Sequence, residues 1–268
     1  MQALDTSAGL RVRTCRHGTM LYNPKDAYVG RSLDLYGEFS EGEVKTLMQL
    51  APEGGVVLDI GANIGAHTVP LARKVGPKGT VLAFEPQPRI HMMLCANLLM
   101  NGLANVLIFS CALGTEKGTA FLPVLDYEQP NNYGAVSVTD TPDPRLPARP
   151  TRVMAIDDLK LASCALMKID VEGSEAKVLR GGAKTIMALR PILYVENDRK
   201  EKSAELIALL RHELGYELYW DMPPLYNPEN IAGNAENVFP RVASFNMLCL
   251  PRESKHSVTG FAKVGDAV

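Results

Sequence analysis

The chain has 268 residues, 46% of them hydrophobic and 22% charged, with a formal net charge of −2 at pH 7. That length is ample for one large domain with a sizeable core. The near-neutral charge removes any electrostatic case for nucleic acid or an anionic membrane surface as a partner.

Five cysteines, at positions 15, 95, 111, 164 and 249, form no Cys-x-x-Cys pair and no His-Cys cluster, which fits reduced core thiols in a cytoplasmic protein. No basic and apolar leader opens the chain, and no apolar run approaches the ~20 residues of a membrane span. The expectation is a cytoplasmic protein without a membrane or nucleic-acid partner, its oligomeric state left open.

Residues 1–40 hold short apolar pieces broken by Gly and Pro, with no clear period. Val44, Leu47 and Met48 then fall at i, i+3 and i+4, with Ser40 placed to cap and Glu43 three residues on, so a short helix starts here. Pro52 and Gly54-Gly55 end it. Residues 56–60 are a strand with Asp59 near its end, followed by a turn carrying Gly61 and Gly65 and a helix over roughly 64–75. Strand 80–85 ends in Glu85, helix 89–101 stops at Asn101-Gly102, and the apolar run 106–113 predicts a strand buried on both faces.

Strand–helix alternation predicts parallel neighbours joined by right-handed crossovers. It breaks at 114–157, where short strands near 118–124, 134–139 and 151–156 surround a Pro-rich excursion at 126–150, the kind of long loop that serves as a lid or binding loop. It resumes with strand 165–171, a helix opened by Gly173-Ser174 and interrupted at Gly181-Gly182, strand 192–196, helix 201–214 and strand 216–220. After an Asn- and Pro-rich loop comes strand 245–250, joined without a helix and so antiparallel. The expected organisation is an α/β, Rossmann-like doubly wound domain over 51–251, with an extension and helix over 1–50 covering the site and a mobile tail at 252–268.

All carboxyl ends of a parallel sheet lie on one edge, so Asp59, Glu85, Asp170 and Glu196 should converge on one cleft. Glu85 lies 20 residues after Gly65, where a carboxylate accepts hydrogen bonds from both hydroxyls of a ribose. A dinucleotide fingerprint wants glycine where Asn63 stands, and Asp59 would repel a pyrophosphate. An acid and a carboxamide suit a ligand with a cationic amino group, which favours S-adenosylmethionine over NAD.

The sequence resembles the FkbM-type methyltransferases of the class I S-adenosylmethionine-dependent fold, from about Tyr36 to Leu250. The resemblance rests on Gly37-Glu38-Phe39-Ser40-Glu41-Gly42-Glu43, Leu58-Asp59-Ile60-Gly61-Ala62-Asn63-Ile64-Gly65, Phe84-Glu85-Pro86, Lys168-Ile169-Asp170-Val171-Glu172-Gly173 and the Asn-rich loop at 226–239. It implies a seven-stranded sheet with the last strand antiparallel. It also implies that Asp59, Gly61, Asn63 and Gly65 line the methionine part of the cofactor, that Glu85 holds the ribose, and that Ser110, Cys111 and Ala112 flank the adenine. Asp170 would face the reacting methyl, with Glu38 near the cofactor.

An alcohol acceptor must lose its proton, so Asp170 and His67 are the catalytic candidates. Asp170, Glu196 and Asn197 end adjacent strands and resemble the magnesium site of catechol-type methyltransferases, a donor set suited to Mg²⁺. Lys168 is expected to pair with an acid of the sheet. Asn132, Tyr133, Glu172, Tyr226 and Asn230 are candidate contacts to a small-molecule acceptor. The expected function is S-adenosylmethionine-dependent O-methylation of a small-molecule or sugar hydroxyl. N-methylation on the same scaffold, an NAD-dependent oxidoreductase and a non-catalytic cofactor-binding protein are the alternatives.

Overall fold

A computed structural model describes residues 3–255 and 257–265, so residues 1–2 of the expected extension and residues 256 and 266–268 of the expected tail lie outside the described residues. A small antiparallel sheet of β1 (Leu4–Asp5), β2 (Arg11–Cys15) and β3 (Gly18–Tyr22) comes first, then helices α1 (Val29–Tyr36) and α2 (Glu41–Leu50). Strands and helices then alternate: β4 (Val56–Ile60), α3 (Thr68–Val75), β5 (Thr80–Phe84), α4 (Pro88–Met100) and β6 (Val106–Phe109). A second small sheet of β7 (Ala112–Leu113), β8 (Gly118–Pro123) and β9 (Ala148–Met154) interrupts the series. It continues with β10 (Leu166–Ile169), α5 (Glu175–Gly181), α6 (Ala183–Leu189), β11 (Ile192–Glu196), α7 (Lys200–Ala208), β12 (Tyr216–Asp221), β13 (Asn246–Pro251) and β14 (Ala262–Lys263).

The large sheet runs β14-β12-β13-β11-β10-β4-β5-β6. From β11 to β6 all neighbours are parallel, while β13 lies antiparallel between β11 and β12. These are the seven strands expected, with the last one antiparallel. The tail adds an eighth: β14 pairs antiparallel with the edge strand β12, so this part of the expected mobile tail is hydrogen-bonded structure.

Side-chain alternation divides the strands between two cores. Leu58, Ile60, Met167, Ile169, Leu193 and Val195 pack with Val178, Leu179, Ile186 and Leu206 of the later helices. Val57, Val81, Leu166 and Tyr194 point the other way, onto Leu47 of α2 and Leu71, Ala72 and Val75 of α3. Asp59 and Lys168 belong to this second set, and the site depends on that placement. Among the described residues no helix is long and apolar enough to cross a membrane.

Three local expectations change. The run 106–113 breaks at Ser110-Cys111; β6 is the sheet's edge, with Leu107 54% exposed, and β7 leaves to pair with β9. An apolar run alone does not distinguish a central strand from an edge. Residues 134–139 form no strand, only an isolated bridge between Thr139 and Phe121. Ser40 adopts a left-handed φ of 44° and makes no side-chain cap; its hydroxyl donates instead to the side chain of Glu43.

Candidate functional site

A cavity of about 520 Å³ opens at the carboxyl edge of the large sheet, within the range of small-molecule sites. Its walls are the turn after β4, the ends of β5, β10 and β11, the first turn of α2, the Pro-rich excursion and the loop before β13.

Two glycines set the turn after β4, for different reasons. Gly61 has φ +81°, and a Cβ there would lie 1.8 Å from the Asp170 carbonyl oxygen; the ends of β4 and β10 touch through it. Gly65 has φ +90° and would drive a Cβ to 2.8 Å from Leu94 Cδ1 of α4. Gly61 and Asn63 line the cavity, whereas Gly65 serves helix packing behind the wall.

Lys168 organises the polar interior. It pairs in register with Asp59 on the adjoining strand, on the face turned toward α3. Its Nζ lies 3.5 Å from Asp59 Oδ1 and 3.1 Å from Asp170 Oδ2, while Thr68 Oγ1 donates to Asp59 Oδ2 at 2.6 Å. Burial works against charge on Lys168, but Asp170 and Asp59 outweigh it and hold the ammonium protonated. Burial likewise opposes ionisation of Asp170, and the Lys168 charge overcomes it, leaving that carboxyl below its ordinary value. Asp59 is therefore a buried counter-ion rather than a wall of the cavity.

Glu85, at the end of β5, is buried with each carboxylate oxygen accepting one backbone N–H: Oε2 from Asn63 (3.0 Å) and Oε1 from Gln87 (2.9 Å). Lone pairs remain on both oxygens. Burial pushes its pKa up to about 7, against the two backbone hydrogen bonds. Cys111 and Ala112 line the cavity beside it, and Asn132, Gly134, Ala135 and Val136 of the excursion close over it. Gln87 Nε2 donates to the Tyr133 carbonyl at 2.9 Å and ties that excursion down.

Several residues expected in the site stand elsewhere. Glu38 is taken up by Arg16 Nε (2.6 Å), Asn227 Nδ2 (2.7 Å) and Ile231 N–H (3.0 Å), clamping the Asn-rich loop to the first sheet. Ser110 is exposed outside the cavity. The Tyr133 hydroxyl donates to the Tyr127 carbonyl, and the ring is fully buried. Tyr226 packs edge-on against Tyr36, and Asn230 spends its amide on the carbonyls of Asn227 and Asn234 within its own loop. Of the acceptor candidates, Asn132 and Glu172 line the cavity.

The end of the cavity toward β11 is acidic. Carboxylate oxygens of Asp170, Glu172 and Glu196 converge within 4.8 Å of one another. Glu196 Oε2 is buried without a partner, and burial followed by repulsion from Asp170 and Glu172 raises its pKa well above the ordinary value. Glu172 is raised to about 7 by burial and then by Asp170. The set Asp170–Glu196–Asn197 does not assemble as a magnesium site, because the Asn197 amide turns onto Met247 Sδ, 3.4 Å away, and lines no part of the cavity. The convergent trio that does form is already answered by protein cations: Lys168 on Asp170 and Arg199 on Glu172. The donor set therefore does not fit the expected Mg²⁺ site.

Sequence reasoning missed Glu43, Gln87, Lys168 and Ser244 as parts of the cavity wall. The spacing of Glu43 to Ser40 reads as a helix cap, and only the tertiary placement of α2 turns it inward.

A family model described as "Methyltransferase FkbM domain" matches residues 59–218. The 31-O-demethyl-FK506 methyltransferase FkbM of Streptomyces tacrolimicus is 29% identical over 209 residues, covering 67% of this chain and 78% of that protein. Methyltransferase 1 of Beauveria bassiana is 28% identical over 148 residues, 48% of this chain and 59% of that protein. The chain thus spans about three fifths of the length of this relative and of methyltransferase sdnD of Sordaria araneosa, of which the match covers 61%. A solved methyltransferase FkbM from Methylobacillus flagellatus superposes with a TM-score of 0.49 at 15% identity, over 83% of this chain and 55% of that one.

Proposed function

The chain belongs to the FkbM methyltransferase domain family, and from that premise we propose that it transfers a methyl group from S-adenosylmethionine to a hydroxyl oxygen of a small-molecule or sugar acceptor. The observation that carries this reading is the charge of the cavity wall. Around the cofactor positions Glu85, Asp170, Glu172 and Asp198 line it, against Lys168 and Arg199 among the described lysines and arginines, and Glu196, pushed toward its neutral form, adds no cation. A low-dielectric cleft lined by one sign of charge attracts the opposite sign. This one repels a pyrophosphate and favours a ligand carrying a sulfonium and an ammonium.

S-adenosylmethionine supplies an electrophilic methyl when bound. Glu85 would accept the ribose hydroxyls on its free lone pairs, with Gly61 and Asn63 at the amino-acid end and Cys111 and Ala112 against the base. Asp170, kept ionised by Lys168, would face the reacting centre, and the excursion lining the cavity would help exclude water and hold donor and acceptor in line. Oxygen as the methylated atom draws support from the relative in Streptomyces tacrolimicus, whose name specifies a 31-O position. N-methylation is the second reading, favoured by Glu196, whose buried Oε2 has no hydrogen-bond partner and could accept from an amine-bearing acceptor.

The test is a screen with methyl-labelled S-adenosylmethionine against polyols, sugars and amines. Label in an O-methyl product supports the proposal and label on nitrogen selects the second reading. An absence of transfer, together with an absence of S-adenosylhomocysteine binding, overturns both.

A further inference from the structure

Two buried titratable side chains at the α2 end of the cavity have no part in cofactor binding as described. His67, just before α3, lines the cavity; its ring packs against Phe39 with centroids 5.8 Å apart, and its Nε2 is buried without a hydrogen-bond partner. Glu43 lines the same cavity from the first turn of α2. Its Oε2 lies 3.8 Å from His67 Nε2 and accepts hydrogen bonds from Ser40 Oγ (2.9 Å) and Ser244 Oγ (3.1 Å). The two hydroxyls fix the carboxyl from α2 and from the loop before β13, so its position beside the imidazole is held from two directions. A buried polar atom left unpaired is costly and calls for a functional or structural reason.

We propose that His67 is the base that takes the proton of the acceptor hydroxyl, and that Glu43 is the positioning residue that orients the ring and stabilises its imidazolium form. This deepens the methyl-transfer reading above and rests on it. With the proton of the neutral ring assigned to Nε2, toward Glu43, Nδ1 is the nitrogen left to accept. The acceptor's O–H proton passes to His67, its oxygen bonds the methyl carbon, and the electron pair of the breaking carbon–sulfur bond stays on sulfur. A cationic donor and a neutral alcohol thereby become a neutral thioether, a neutral methyl ether and an imidazolium.

The surrounding charges suit those roles. Burial, then Lys168, lowers His67 to about 4; Asp59 and Asp170 oppose this, and His17 adds to it. The ring is therefore neutral and available as a base at ordinary pH. Burial raises Glu43 to about 7; Lys168 and the hydroxyls of Ser40 and Ser244 pull it down, and Asp170 pushes it further up. Above that pH a carboxylate stands where an imidazolium would form. A carboxylate behind a histidine base has the same logic as the acid of a hydrolase triad.

The full chain, saturated with S-adenosylhomocysteine, is titrated by NMR at the His67 ring, whose signals are identified by their loss in His67→Gln. The ring resonances are expected to move through a step near pH 7 as Glu43 ionises, since Glu43 is raised to about 7. Glu43→Gln should remove that step while S-adenosylhomocysteine affinity stays unchanged. Ser244→Ala, which removes one hydrogen bond to the carboxylate and keeps the carboxyl, should move the step to higher pH, and it serves if the first variant fails to fold. With the hydroxyl acceptor that takes label in the screen, His67→Gln should lower kcat by about 10²–10⁴-fold. Glu43→Gln should abolish the rise of kcat through neutral pH. A His67 ring without the step, or a step that survives Glu43→Gln, overturns the pairing. Undiminished kcat in His67→Gln overturns the base. Failure of the folded wild-type chain to bind S-adenosylhomocysteine overturns the methyl-transfer reading instead.

Discussion

Replacing Lys168 by methionine tests the polar interior on which the site is built. Lys168 is 1% exposed, with Nζ 3.5 Å from Asp59 Oδ1 and 3.1 Å from Asp170 Oδ2. Methionine keeps much of the side-chain volume and removes the charge, leaving Asp59, which is 0% exposed, with the Thr68 hydroxyl on Oδ2 and no hydrogen bond to Oδ1. Removing one partner of a buried ion pair costs about 3–5 kcal/mol, because the other charge stays buried and uncompensated. Urea unfolding at pH 7 should show a lower midpoint with the slope unchanged. The pH dependence has a definite sign. Asp170 is depressed by Lys168, so its contribution is present above the unfolded carboxyl value of about 3.9 and is lost as pH falls through the folded value. The gap between wild type and variant should therefore narrow as pH falls below about 4. Adding Asp59→Asn should recover part of the loss, as expected for residues in direct contact. A loss under about 1 kcal/mol, the worth of an exposed pair, would refute the reasoning.

Gly61→Ala should lower the melting temperature and abolish S-adenosylhomocysteine binding, since its Cβ would meet the Asp170 carbonyl at 1.8 Å on a backbone with φ +81°; a variant that binds normally, seen by calorimetry, contradicts the close approach. Glu85→Ala should weaken S-adenosylhomocysteine by about 10²-fold, from loss of hydrogen bonds to a charged acceptor at about 1.5–3 kcal/mol each, and an unchanged affinity would remove Glu85 from the ribose site. Glu43, Glu85 and Glu172 are each raised to about 7 by burial, so the stability they contribute is full below the unfolded value and is lost as pH rises through the folded one. The ligand-free chain should therefore lose stability between about pH 4.3 and neutrality, and replacing the three acids by glutamine should flatten that slope in denaturant titrations. Exhaustive chelation with EDTA should leave methyl transfer unchanged, because Lys168 and Arg199 already answer the convergent carboxylates; turnover restored only by added Mg²⁺ would contradict this.

The parallel sheet and the acids at its carboxyl ends were legible in the sequence because both rest on short-range patterns: apolar runs of strand length, punctuating glycines and an acid after each run. Gly61, Asn63, Glu85 and Asp170 line the cavity as that pattern implies, and Cys111 and Ala112 line it as the family resemblance implies. Asp59 was misplaced because a strand residue's face is set by parity. One step along β4 separates the α3 core from the opposite one, and Lys168, far along the chain but in register on the adjoining strand, claims the carboxylate. Glu38 and Asn197 were drawn to partners that no local pattern announces: Arg16 and Asn227 for the first, Met247 for the second. The hairpin strands of the first 22 residues escaped notice because they are short and only partly buried, which blurs a period of two. Glu43 and His67 meet across a separation of 24 residues, a juxtaposition created by the packing of α2 on α3 rather than by spacing.

The central claim is that the acid-lined cavity holds a sulfonium cofactor, and calorimetric titration of the intact chain with S-adenosylhomocysteine and, separately, with NADH tests it most directly. Saturable one-to-one binding of S-adenosylhomocysteine and no binding of NADH is the predicted result. A folded chain that binds NADH and ignores S-adenosylhomocysteine would contradict it.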